Sequence, residues 1–162
     1  MLKILLIATA ALAVLAAIAF LLRLRRPSSD KWPFYAKKPL SRPEQVLYYR
    51  LAKALPDHIV LAQVQLSRVL GVVKGANFGT WNNRINRLSL DFLICGKDAS
   101  VVAAIELDDS SHARYARREA DERKENALRA AGVPLLRWSV SALPDEAAIR
   151  NAIAKHLRFE RL

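Results

Sequence analysis

The apolar pattern along the chain changes its period several times, and each change marks an element. From Ile4 to Leu22 there is no alternation: 19 residues pass without a charge, a proline or a glycine. As a helix this run spans about 28 Å, close to the roughly 30 Å hydrocarbon core of a bilayer. Eleven of its residues are Leu, Ile, Val or Phe, so with Ala taken as neutral, insertion is favoured by about 3–7 kcal/mol. A cleaved signal peptide is the competing reading, because Ala8-Thr9-Ala10, Ala11-Leu12-Ala13 and Ala17-Ile18-Ala19 all fit a small-x-small cleavage pattern. The run exceeds a typical signal core and is closed by Arg23, Arg25 and Arg26, a stop-transfer pattern. Residues 1–23 are therefore expected to be a transmembrane signal-anchor helix.

Residues 24–40 have no apolar period. Pro27, Pro33 and Pro39 alternate with basic side chains and with Trp32, Phe34 and Tyr35, the make-up of a basic linker that holds a helix end at the headgroups. Positive charge is heavier after the apolar run than before it. This predicts a single pass through a bacterial-type inner membrane, with residues 2–24 in contact with lipid and the rest of the chain in the cytoplasm.

Over residues 41–162 the periods of helix and strand take turns. Ser41-Arg42-Pro43-Glu44 has the form of a capping box, and Val46, Leu47, Leu51 and Leu55 follow at helical spacing, predicting a helix over 42–55. His58 to Leu66 alternates as a strand, and an irregular stretch with a short helical turn near 80–87 follows. Leu88 to Cys95 and Ser100 to Leu107 are apolar runs joined by Gly96-Lys97-Asp98-Ala99, a hairpin whose second strand is apolar on both faces and hence central. A charged helix over about 113–131 ends at Gly132, Val133 to Trp138 forms a last strand, and Pro144 to Leu157 a last helix. The order α, β, β, β, α, β, α describes an α/β (α+β) domain, with a right-handed crossover carrying the charged helix over a mixed sheet.

Composition narrows the chemistry. The single cysteine, Cys95, excludes an internal disulfide, no Cys/His cluster is present to build a zinc site, and a free thiol suits a reducing compartment. The net charge of +11 points to an anionic partner, nucleic acid or an acidic lipid surface. Residues 41–162 still carry +5 without the anchor and linker, so the domain is basic in its own right.

Against that basic background, the acids at the strand ends stand out. Asp91 interrupts the first hairpin strand, while Glu106 and Asp108 share one face at the end of the second. If the hairpin closes at residues 96–99, Asp91 comes beside Glu106, and carboxylates that close repel unless a hard divalent cation sits among them. Mg²⁺ or Mn²⁺ fits such oxygens and would assist phosphodiester hydrolysis; no small-molecule cofactor is implied. The alternative is that these acids are solvated or pair with Arg84, Arg87 or Arg114. His112 follows Asp108 by four residues at the helix entrance, where an imidazole can serve as general base. Arg84, Arg87, Arg114, Arg117 and Arg118 lie on either side of the acids in the chain and are expected phosphate contacts, with Trp81, Asn82, Asn83 and Asn86 able to reach bases or to plug the core edge.

Asp91 followed by Glu106-Leu107-Asp108 resembles the PD-(D/E)xK nuclease arrangement. More narrowly, Leu90-Asp91-Phe92, the run from Ile105 to His112, Asp121 to Asn126 and Ala131 to Arg137 resemble the domain of unknown function 2726 (DUF2726) family, itself similar to the very-short-patch repair endonucleases. The resemblance covers roughly residues 34–155 and implies a restriction-endonuclease-like αβββαβ core within a domain at 41–162. It implies Asp91 and Glu106 as metal ligands, with the Leu107 carbonyl as a third. Asp108 occupies the place of the motif lysine and cannot supply its positive charge. Lys124, on the same helical face as Asp121, is the implied substitute, since related nucleases carry this lysine on the neighbouring helix; its other reading is an exposed partner of Asp121. Glu44 is a further ligand the resemblance suggests, although a capping-box acid already has a local role. The expected function is a membrane-anchored, Mg²⁺-dependent nuclease acting on DNA in preference to RNA. A catalytically silent nucleic-acid or protein binding module and a lipid-associated adaptor are the alternatives.

Overall fold

The computed structural model describes residues 1–24, 32–108 and 115–159. The chain divides into two units, Met1–Lys37 and Lys38–Leu162. The first contains helix α1, Leu2–Leu24, as the unbroken apolar run requires. Its side chains Leu6, Leu12, Leu15 and Phe20 stand exposed. The side chains of Leu2, Ile4, Leu5 and residues 22–24 lie outside the described set, and among the described residues no helix is long and apolar enough to cross a membrane.

The second unit is built on a mixed four-stranded sheet in the order β1-β2-β3-β4. Strand β1 is Ile59–Gln65, β2 Ser89–Cys95, β3 Val101–Asp108 and β4 Leu135–Ser139. The first three are antiparallel neighbours, and β4 joins β3 in parallel after helix α4, Tyr115–Ala130. Helices α2, Arg42–Ala54, and α5, Glu146–Phe159, pack on one face. Helix α3, Phe78–Ile85, packs against α4. Where the sequence predicts only a turn near 80–87, a full helix starts earlier, because the Asn77 side chain accepts a hydrogen bond from the Thr80 amide and caps it.

Two apolar clusters result. Leu47, Leu51, Phe92, Ile94, Ile105, Ile149 and Ile153 fill the α2/α5 face. Leu66, Leu90, Leu93, Ala104 and Leu128 fill the other. Val60 and Ala62 in β1, with Phe92 and Ile94 in β2, pack towards α2 and α5. Val64 and Leu90, further along the same alternation, pack into the opposite cluster. The changeover falls at Gln63 and Asp91. Gln63 has φ +53° there, a left-handed conformation that costs a non-glycine residue about 1–2 kcal/mol.

Candidate functional site

The β2–β3 hairpin brings the strand-end acids together by its register. Phe92 pairs with Ile105, so Asp91 comes opposite Glu106 just beyond the last ladder pair. The Asp91 Oδ2 accepts a hydrogen bond from the Leu107 amide at 2.8 Å, and a side chain thus takes over a donor that a partner strand would otherwise satisfy. Alternation sends Glu106 to the α4 face, where it is 8 % exposed. There the Lys124 ammonium, one helical turn from the core residue Leu128 and also 8 % exposed, donates to Glu106 Oε2 at 2.7 Å. Glu106 Oε1 is buried without a partner among the described residues, a costly state for a carboxylate oxygen.

Electrostatics follow from this packing. Burial pushes the Asp91 carboxyl up; the Leu107 amide opposes that rise, the charge of Glu44 adds to it, Lys124 opposes it and Asp108 adds to it. Burial likewise pushes Glu106 up, against the hydrogen bond and charge of Lys124 and with a further push from Asp91. Among the described residues, the four carboxylates of Glu44, Asp91, Glu106 and Asp108 are thus matched by two cations, Lys124 and Arg137.

The remaining expected residues fall into three groups. Glu44 is drawn in: its Oε2 accepts from the Ser41 amide at 2.5 Å, half of the capping arrangement, while Oε1 accepts from Gln63 Nε2 at 2.6 Å. Asp108 is exposed and paired with Arg137 at 3.2 Å, a partner other than the Arg84, Arg87 or Arg114 the sequence offers. Lys124 pairs with Glu106, while Asp121 is half-buried one turn away. Arg84 lies over the Trp81 ring, 4.4 Å from its centroid, and Arg87 and Arg118 are exposed. His112, Arg114 and the Arg117 side chain lie outside the described residues.

Two contributors escape a reading of the sequence. Gln63 reads as one more polar residue on an alternating strand, and nothing in its neighbours marks a left-handed backbone. Arg137 left a signal, a charge inside an apolar strand. Its parallel register opposite Glu106 emerges only once β4 is placed beside β3.

Among the described residues no three His, Cys, Asp or Glu side chains converge as a metal-holding group. Two carboxylates do converge, and the orphaned Glu106 Oε1 is a hard oxygen donor lacking a partner. Asp91 and Glu106 supply hard oxygens of the kind a small divalent cation takes when it retains water in its other positions, as Mg²⁺ commonly does. A family model described as a protein of unknown function, DUF2726, matches residues 36–157. No curated protein and no solved structure matches the chain.

Proposed function

Given that the chain belongs to the DUF2726 family, whose model matches residues 36–157 and leaves the chemistry open, we propose that residues 41–162 form a divalent-metal-dependent phosphodiesterase domain of the PD-(D/E)xK type. Its substrate is nucleic acid, DNA ahead of RNA, and its fold is related to that of the very-short-patch endonucleases. The observation that carries the reading is the buried Glu106 carboxylate with one oxygen unpartnered beside Asp91. Mg²⁺ or Mn²⁺ held by Asp91, Glu106 and the Leu107 carbonyl would supply Lewis-acid polarisation and a water of lowered pKa. Lys124, fixed by Glu106, offers an ammonium for charge building on the phosphate, the service that Asp108 at the motif position cannot give. Gln63 and the α2 cap orient Glu44 towards the same corner. Arg84, Arg87 and Arg118 hold the backbone of the polymer.

The exposed apolar flank of α1 supports a membrane anchor, with the domain on the cytoplasmic side. Carbonate-resistant sedimentation with membranes is the expected behaviour, and release by carbonate would remove the anchor from the account. The test of activity uses the full chain in detergent micelles with labelled single- and double-stranded DNA and RNA. Cutting that needs Mg²⁺ or Mn²⁺, stops with chelator and is lost in Asp91→Ala and Glu106→Ala supports the reading. Cutting that survives both substitutions contradicts it. A second reading rests on Asp108 and on the engagement of Lys124 with Glu106: a silent member of the fold that binds nucleic acid, for which the same assay returns salt-sensitive retention without cleavage.

A further inference from the structure

A groove of about 430 Å³ lies between α3, α4 and the segment 69–77. Its walls are apolar, with Leu70 and Val73 on one side and the Trp81 ring, 49 % exposed, on the other. Arg123 and Asn126 of α4 line it as well, on either side of Lys124 in the sequence, and the groove runs along α4 towards its end at Ala130. The volume is that of a pocket for a small planar molecule.

We propose that this groove receives an unstacked nucleobase from a single-stranded or locally opened nucleic acid, an inference that rests on the nucleic-acid reading above. Three features select that occupant. The Trp81 ring and the Arg84 guanidinium lying over it at 4.4 Å form a flat, cationic platform, the surface on which splayed bases stack. The Asn126 amide supplies both a donor and an acceptor, as the edge of a base requires. Among the described residues no carboxylate lines the groove, Arg123 is paired with Glu119 at 3.0 Å and Arg84 has no acidic partner, so Arg84 is the cation left to meet a phosphate beside the base. An apolar peptide or acyl chain would fill the walls and leave that charge unused. A base enters such a groove only when unstacked, which makes the substrate class single-stranded or distorted rather than intact duplex.

The test measures binding of a short labelled single strand and of its matching duplex to the full chain in detergent micelles, with chelator present to prevent cutting. Trp81→Ala is expected to weaken single-strand binding about tenfold or more, the loss of one base–aromatic stack, and duplex binding less than about twofold, with Trp81→Phe restoring most of the loss. Ala130→Trp, which fills the groove from its far end, should weaken single-strand binding in parallel. If the wild type retains both polymers and neither Trp81→Ala nor Ala130→Trp changes single-strand binding, the groove is not a base site, while the nucleic-acid reading survives. Equal losses for strand and duplex also overturn the proposal, since they mark a general backbone contact. If the wild type retains neither polymer, both the proposal and the reading beneath it fall.

Discussion

The two ends of the β2–β3 hairpin are made from the same kind of strand and finish differently. At the turn, the Gly96 amide donates to the Ser100 carbonyl, Asp98 Oδ1 accepts from the Ser100 amide and hydroxyl, and Ala99 takes a left-handed φ of +65° with its amide donating to the Gly96 carbonyl. Burial there is of apolar groups, with Cys95 buried and paired with Val101 at the end of the ladder. At the other end the ladder stops at Phe92 and Ile105, a carboxylate takes a strand donor, a second carboxylate is buried with one oxygen unpartnered, and β1 opposite adopts a left-handed backbone. A fold stabilised for its own sake would finish both ends like the first. Both ends hold one left-handed residue, Ala99 or Gln63; what sets the second apart is desolvated charge, the cost that the proposed metal site would account for.

The largest effect should come from separating Lys124 from Glu106. Lys124→Met leaves a buried carboxylate without its cation and is expected to cost about 3–5 kcal/mol in urea unfolding of the full chain in detergent, whereas Lys124→Met with Glu106→Leu should recover most of that loss. A single variant as stable as the wild type would mean that the open end bears no electrostatic cost. Next in size is the backbone at Gln63: Gln63→Val should be less stable than Gln63→Gly by about 1–2 kcal/mol, since only the glycine takes φ +53° freely. Equal stabilities would contradict strain at Gln63.

Asp91 gives the pH test. Its folded carboxyl is held above the ordinary 3.8, so the native state binds that proton more tightly than the unfolded chain does. The associated stability is complete below the ordinary value and is lost as pH rises through the raised one. Asp91→Asn should therefore raise neutral-pH stability and flatten the stability profile just above pH 3.8. A profile unchanged by Asn would contradict the desolvation account. The smallest effect belongs to the exposed Asp108–Arg137 pair: Arg137→Ala should cost no more than about 1 kcal/mol, and less as salt rises.

Much of the scaffold was legible in the sequence because its signals are local. Apolar alternation marks the strands, Ser41 and Glu44 mark the start of α2, and Gly132, with φ +71°, ends the turn after α4. The convergence of Asp91 on Glu106 was legible because a short hairpin fixes register. What the sequence withheld depends on non-local placement. Arg137 meets Asp108 only through the parallel crossover, Gln63 reaches Glu44 only through a conformation that no neighbour dictates, and the groove at Trp81 exists only once α3 lies against α4.

The most direct measurement is a titration of Mn²⁺ into the full chain in detergent micelles, followed by loss of the free-ion paramagnetic signal, for the wild type and for Asp91→Ala combined with Glu106→Gln. A site built for a divalent cation takes up manganese in the wild type and loses that uptake in the double variant, while Arg137→Ala retains it. Uptake that is the same in the wild type and the double variant, or absent from the wild type, would contradict the account.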